Sequence, residues 1–516
     1  MSIPEECTVL VVGGGPAGSY AASVLAREGI DTVLLEAEVF PRYEPVHYTG
    51  ESLLPSVRYY LDFIDLYDKF NSHGFLRKTG ATFKLNSRKP GYTDFLAANG
   101  AGNHSWNVVR SEADDIIFKH ARKSGAKVVD GVKVKEIDFD PVSGRPVSAS
   151  WTRRDGSATG LGRTRFRYLV DASGRAGLVS TKYMKNRVYN PGLRSIAIWG
   201  YWAGAKSYGP GVGDPFAEAL EDGSGWVWYF PLHDGTWSVG IAIKQDRVGP
   251  KKKACKSTST LDFYLKTLEE TPIVADLLHG GKLQSDKLRT ASDWSYSASE
   301  YAVPYLRIAG DAGCFIDPLF SSGVHLAMNG GLSAALTICA SLRGHCAEKA
   351  AIEWHNQKIT EGYTRFLMIV KSSLDQVHGR DEHILNDIEE PEGFDIAFEH
   401  FKPRLTEDNG KPVIQGTVDA GGKLSTADIA KSVDFCVRVL KKAEGEYQAD
   451  SRGHAGSGFH LDKDGAENDG DDIMIKVARL NRVVSFSEDF TADVINGMAP
   501  NMCRGELGLV PVALRD

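Results

Sequence analysis

The apolar and polar positions alternate between two periods along the chain. CTVLVV (7–12) reads as a strand, GGGPAG as a turn, SYAASVLAREG as a helix with small residues on one face, and DTVLLE as a second strand. The opening is therefore βαβ. Between about 100 and 170 helix and strand signals mix: SEADDIIFKHARKSG is helical, while AKVVDGVKVKEIDF and RYLVDASG are strands. From 195 to 245 the runs RSIAIWGYWAG, GWVWYFP and TWSVGIAI alternate at period two and predict antiparallel strands, the floor of a substrate region. Within GWVWYFP, Trp226 and Trp228 are two residues apart and share a face, and Pro231 ends the pairing. Helical patterning resumes in VHLAMNGGLSAALTICASL and IEWHNQKITEGYTRFLMIVKSSLDQV. Beyond about 385 the signals weaken, and 443–472, rich in Gly, Asp and Glu, predicts a mobile loop. No internal repeat is visible.

Composition narrows the class. The 516 residues suffice for two domains or one large enzyme with insertions, and 42 % hydrophobic with 25 % charged residues fits a soluble globular protein. A net charge of −7 and the lack of a basic, aromatic-studded stripe argue against nucleic acid as a partner. No apolar run reaches the ~18 residues of a membrane span, and no signal peptide opens the chain. Seven scattered cysteines without a CxxC pair read as reduced thiols, with neither a disulfide framework nor a metal site, in a cytoplasmic setting. DKDGAENDGDD (462–472) lacks the spacing of a calcium loop and reads as solvated.

Candidate chemistry begins at the first turn. Gly13, Gly15 and Gly18 form GxGxxG between strand and helix, with Gly14 and Ala17 inside it. The glycines permit a tight turn, close approach of a pyrophosphate and close helix–strand packing. Glu36 ends the second strand, where an acid accepts hydrogen bonds from an adenosine ribose. Two further turns follow, Asp171-Ala172-Ser173-Gly174 ending the strand in YLVDASGRAG (168–177) and Gly310-Asp311 in IAGDAGCFIDPLFSSG (308–323). All three in this order resemble the FAD domain of the aromatic hydroxylase superfamily. That resemblance implies that Asp311 reaches flavin ribityl or ribose hydroxyls, and that Arg110, opening the helix in WNVVRSEADD, lies near the FAD pyrophosphate. The implied fold class is α/β, an FAD-binding Rossmann-like domain over residues 1–380. An antiparallel sheet is interleaved at about 195–300, and a mainly helical C-terminal region spans 381–516.

Three local features separate the reactions that such a scaffold supports. Trp226, Trp228 and Pro231 resemble the WxWxIP motif of flavin-dependent halogenases, with Phe230 in place of Ile. Lys78 in FLRKTGATF matches that family's KxGAxF lysine, while its neighbours Arg77 and Lys84 read as surface cations. DPLFSSG (317–323) matches the stretch where backbone N–H groups near Ser322 and Gly323 hold chloride, with Val324 against the flavin ring. The chain thus resembles the fungal, free-phenol branch of flavin-dependent halogenases. The resemblance implies that the tryptophans partition flavin from substrate. It implies that reduced FAD, O2 and chloride generate hypochlorous acid, and that Lys78 delivers chlorine to a phenolic, polyketide-type ring. Glu51 lies in the Gly50-Glu51-Ser52 segment that covers the flavin in the family, preceded here by about four extra residues within 43–49. A second GxGxxG is absent, so a separate NAD(P)H-dependent flavin reductase is the expected electron donor. The competing reading is an FAD-dependent aromatic hydroxylase acting on a similar phenol.

Overall fold

A computed structural model of the chain describes residues 2–42, 50–85, 89–96, 102–154, 161–292, 295–378, 407–408, 411–412 and 494–512. Its first layer is a largely parallel sheet. The opening strand Glu6–Val12 runs parallel to Thr32–Leu35 on one side and to Gly162–Asp171 on the other. Lys127–Val129 and Leu306–Ile308 extend the two edges in the same sense. Val9, Leu10 and Val11 are fully buried, as expected for a parallel strand covered on both faces. The helices Pro16–Arg27, Arg110–Lys123 and Gly323–Arg343 cover one face, and their apolar sides merge into one core with Val9, Val11 and Leu34.

The second layer is the antiparallel sheet expected from the period-two runs, and it is wider than expected. Ser195–Ala203, Thr236–Lys244, Gly225–Pro231 and Phe216–Ala219 are its centre. It also recruits Gly80–Lys84, parallel to Phe216–Ala219, and Gly91–Asp94, both from far upstream. Alternation gives the sheet two distinct faces. Val227, Tyr229, Val239 and Ile241 pack under the helices Gln245–Ala254, Thr260–Leu268 and Pro272–Leu278. Trp226, Trp228 and Phe230 face the other way, towards the parallel-sheet layer, among Ala197, Ala217 and Ala242.

One expectation changes here, and another falls mostly outside the described residues. The helix Gly323–Arg343 is long and apolar enough to cross a bilayer by length and composition, although no apolar run of that length was expected. It is 94 % buried in the protein over that window, because Ser333, Thr337 and Asn329 find partners in the core while its apolar positions pack on the first helix. The C-terminal region 381–516 falls mostly outside the described residues, as do the loop 443–472 and the insertion 43–49. Its described end is a hairpin, not a helix: Met498–Asn501 pairs with Gly508–Pro511. The intervening turn holds Gly505 at φ +84°, a backbone state that ends helices, and Leu507 and Leu509 are fully buried in the first-layer core.

Candidate active site

A cavity of about 1020 Å³ lies between the layers, and its lining includes the glycine turn as well as Lys78, Trp226 and Trp228. That volume is at the upper end of the ~300–1,000 Å³ usual for a single small ligand.

At the glycine end the backbone leaves no space for side chains where the turn is tight. A Cβ on Gly13 would stand 2.2 Å from the Ala172 carbonyl oxygen, and one on Gly18 would stand 1.9 Å from that of Gly13. Gly13 also sits at φ +103°. Gly15 is different. It lines the cavity and a Cβ there would touch nothing within 4 Å, so its backbone is open to a ligand at the start of helix Pro16–Arg27. Gly13 and Ala17 line the cavity too, whereas Gly14 and Gly18 lie behind it, Gly14 against Phe118.

Glu36 lines the same end. Its carboxylate accepts from Gly14 N at 2.5 Å and Glu38 N at 2.7 Å, and pairs with Arg42 at 3.1 Å. Arg42 in turn meets Asp114 at 3.1 Å, and Asp114 takes Arg110 Nε at 3.0 Å. Arg110 is thus clamped beside the cavity by a carboxylate one helical turn on. Asp311 lines the far side of this end. Burial pushes its carboxyl up to about 6, against the pull of Arg110, Arg175 and Arg187. An open glycine backbone at a helix start, an acid and an arginine are the donor set that a dinucleotide needs, and FAD fits these residues.

Gly323 and Val324 line the cavity, and Gly323 opens a helix of 21 residues. Ser322 does not line it; it is buried just before the helix. Asp317 begins the same loop, fully buried, accepting from Leu319 N at 3.1 Å, and burial pushes its carboxyl up to about 7.

The second end is built on the sheet. Trp226 and Trp228 line the cavity with ring centroids 5.7 Å apart, and Trp199 lies 6.1 Å from Trp228. Pro231 is outside the lining: it is the last residue of its strand to pair, and its carbonyl accepts from Asn107 Nδ2 at 3.0 Å. It follows Phe230 on the strand, so alternation turns it to the face opposite Trp226, Trp228 and Phe230, and it is not part of the cavity wall.

Lys78 ends the short strand Leu76–Lys78 and is 2 % exposed. Its Nζ donates to Ser52 Oγ at 2.8 Å and lies 5.5 Å from the centre of the Phe95 ring. Burial pulls its amine down to about 7, with Asp214 opposing. Asp214 also pins the turn after the lysine, accepting from Thr79 N at 2.7 Å and Gly80 N at 2.9 Å. Arg77 is exposed on Asn71, as expected. Lys84 is not a free surface cation. It pairs at 2.8 Å with Glu218, whose burial demands a counter-charge.

Glu51 lines the cavity, and protein groups already hold both of its oxygens: Tyr201 OH at 2.5 Å and Ser238 Oγ at 2.7 Å. Ser238 Oγ also accepts from Trp228 Nε1 at 3.3 Å, and Arg289 donates to Tyr201 OH. Burial raises the Glu51 carboxyl above its ordinary range. Sequence reasoning missed Asp214, Tyr201 and Ser238, and it named Ser52 only as part of the Gly50-Glu51-Ser52 segment, without its contact to Lys78.

Outside the cavity, among the described residues, His73, Glu112 and His233 form one group able to hold a metal. His73 Nε2 and His233 Nε2 lie 2.7 and 3.2 Å from the same carboxylate oxygen. His233 Nδ1 is buried without a partner, which favours its proton on Nε2, where it is a donor and not a ligand. The group reads as a hydrogen-bonded clasp.

The FAD binding domain family matches residues 6–188. The chain is 49 % identical to a sulochrin halogenase of Aspergillus terreus, over 99 % of this chain and 94 % of that one. It is 48 % identical to a flavin-dependent halogenase of Acremonium egyptiacum, over 98 % and 93 %. Among solved structures, a myxobacterial chondrochloren halogenase, an FAD-dependent halogenase, superposes with a TM-score of 0.64 at 29 % identity, over 72 % of this chain and 83 % of that one.

Proposed function

The chain belongs to the flavin-dependent halogenases, and from that premise we propose that it chlorinates a free phenolic, polyketide-type small molecule through Lys78. The protein is an FAD-dependent enzyme with a halide as substrate. The observation that carries the finer reading is a buried amine, pulled down to about 7, in the lining of the same cavity as the glycine turn. A lysine is rarely buried without a chemical reason, and one held near neutrality is an available nucleophile at physiological pH.

Gly13, Gly15, Ala17, Glu36, Arg110, Asp311 and Val324 would hold FAD, and bound reduced FAD supplies, with O2, the oxidation of chloride to hypochlorous acid. Gly323, at a helix start, offers backbone N–H groups to the chloride, and Ser322 stands directly before it. The indoles of Trp226 and Trp228 fill the wall with apolar surface and keep the phenol from the flavin end. Lys78 receives the hypochlorous acid, holding it by hydrogen bond or carrying its chlorine as a chloramine. Either way it presents the electrophile to a ring carbon ortho or para to the phenol hydroxyl. Water is excluded by burial, so the oxidant meets the amine or the ring first. A separate flavin reductase supplies the electrons, and scattered cysteines without a CxxC pair are the sequence feature behind a cytoplasmic setting.

The test is turnover of a panel of phenolic polyketides with a flavin reductase, NADH and O2, with and without chloride. Chlorinated product only when chloride is present supports the proposal. A hydroxylated product independent of chloride refutes it.

A further inference from the structure

We propose that Ser52 is the positioning residue of Lys78: its hydroxyl oxygen holds one N–H of the amine, so that the nitrogen lone pair is presented to the cavity. This deepens the halogenase reading and rests on it. The pairing is built into the fold. The segment carrying Ser52 bridges to Asn107, with Leu53 N donating to Trp106 O at 2.9 Å and Val108 N to Glu51 O at 2.6 Å. The strand Ser105–Asn107 pairs on its other edge with Leu76–Lys78, Ser105 opposite Lys78. Three adjacent stretches of backbone thus fix where the hydroxyl stands relative to the lysine strand. Both side chains are buried, at 4 % and 2 % exposure, and their polar atoms are 2.8 Å apart. The preceding residue, Glu51, is tied to Tyr201 and Ser238 on the tryptophan sheet. Drift of Ser52 is therefore opposed from both sides.

The chemistry needs such a hold. A neutral amine has two N–H bonds and one lone pair, on a side chain of four rotatable bonds. With one N–H on Ser52, the lone pair is left to act on hypochlorous acid, the oxidant that the halogenase reaction supplies. It either accepts the acid's proton in a hydrogen bond or attacks chlorine. In the second case an N–Cl bond forms and the O–Cl bond breaks. The departing hydroxide takes one proton from nitrogen, leaving a chloramine and water. Without the Ser52 hydroxyl the amine turns among rotamers and the oxidant escapes capture.

The experiment compares wild type, S52A and K78A in two measurements. The first is chlorinated product per O2 consumed, with a flavin reductase, chloride and a phenol that the wild type accepts. The second is the pH dependence of Lys78 acetylation by limiting acetic anhydride in flavin-free protein, read by mass spectrometry, which needs no turnover. S52A is expected to lose about tenfold to hundredfold in coupling while O2 consumption continues, since small misplacements cost rates of that size. Its acetylation midpoint should also fall, because the ammonium form has lost an acceptor. Coupling within about twofold of wild type in folded S52A overturns the proposal. Should S52A fail to fold, S52T and S52V decide, being equal in shape. A threonine that keeps the coupling valine loses supports the role, and equal coupling in the two overturns it. If the wild type chlorinates no phenol of the panel while the acetylation midpoints differ, the phenol-chlorinating reading fails and the Ser52–Lys78 pairing survives.

Discussion

The indole of Trp228 lies on the α-carbon of Gly240 in the neighbouring strand: a Cβ at Gly240 would stand 2.1 Å from Cζ2 of that ring. The two residues are directly opposed in register, and Trp226 is likewise opposed by a small residue, Ala242. The indole wall of the cavity is therefore a property of two strands. Large rings on one are seated by small residues on the other, in the manner of cross-strand pairs elsewhere.

Gly240→Ala should push the Trp228 ring into the cavity and disturb the partition with little change at the glycine turn. Overpacking of this kind costs ~1–3 kcal/mol, so the variant should fold with a lower melting temperature. Chlorinated product per reduced flavin should fall and peroxide should rise, while FAD affinity by fluorescence titration stays within the error of the wild type. Unchanged coupling with the expected loss of stability would reduce the wall to core packing.

Lys78→Ala should abolish chlorinated product while FAD binding and reductase-driven peroxide formation persist, because the amine acts after the oxidant is made. Lys78→Arg should not rescue it, since a guanidinium stays protonated and has no free lone pair at any working pH. Product mass spectrometry on both variants checks this; substantial chlorination by the alanine variant removes the lysine from the reaction.

The protein without a partner should oxidise NADPH slowly, with or without phenol, and should turn over once a flavin reductase is added. The expectation follows from the single GxGxxG, at Gly13 to Gly18. Rapid phenol-stimulated NADPH consumption by the pure protein, followed at the nicotinamide absorbance, would contradict it.

The parts of this site that were legible in the sequence are those whose geometry is local. Gly13 and Gly18 meet within one turn, and Trp226 and Trp228 share a face because strands repeat every second residue. What was not legible depends on partners far along the chain. Ser52 stands 26 residues before Lys78, and Asp214 accepts from Thr79 across 135. Lys84 reads as a surface cation until Glu218, 134 residues on, is seen buried against it. Pro231 was assigned to the partition by motif position, but it is one residue out of phase with Trp226, Trp228 and Phe230 and does not line the cavity. The hairpin at Met498–Pro511 escaped notice because its strands are four residues each, too short to establish a period.

The burial of Lys78 also makes a prediction about stability that needs no substrate. Its amine titrates near 10.5 when unfolded and near 7 in the folded protein, burial being the main cause. Between those values the unfolded chain binds more protons than the folded one, so this group makes stability rise with pH across the window from about 7 to 10.5. Below about 7 both forms are charged, and the full cost of burying an ammonium opposes folding. Lys78→Met keeps the length of the side chain and removes the charge, so it should be more stable than the wild type at pH 6, by ~1–4 kcal/mol on the precedent of buried charges replaced by apolar side chains. The gap should narrow as pH rises towards 10, because the wild type sheds its penalty and the methionine variant has none to shed. Urea unfolding of both proteins at pH 6, 8 and 9.5 measures the difference directly, and other titrating groups cancel in the comparison. A stability difference that stays constant over that range, or a methionine variant less stable at pH 6, would mean that the buried amine is stabilised as an ammonium by partners beyond Ser52 and Asp214. In that case Lys78 would stay protonated at neutral pH, leaving it able to donate a hydrogen bond to hypochlorous acid but unable to carry its chlorine.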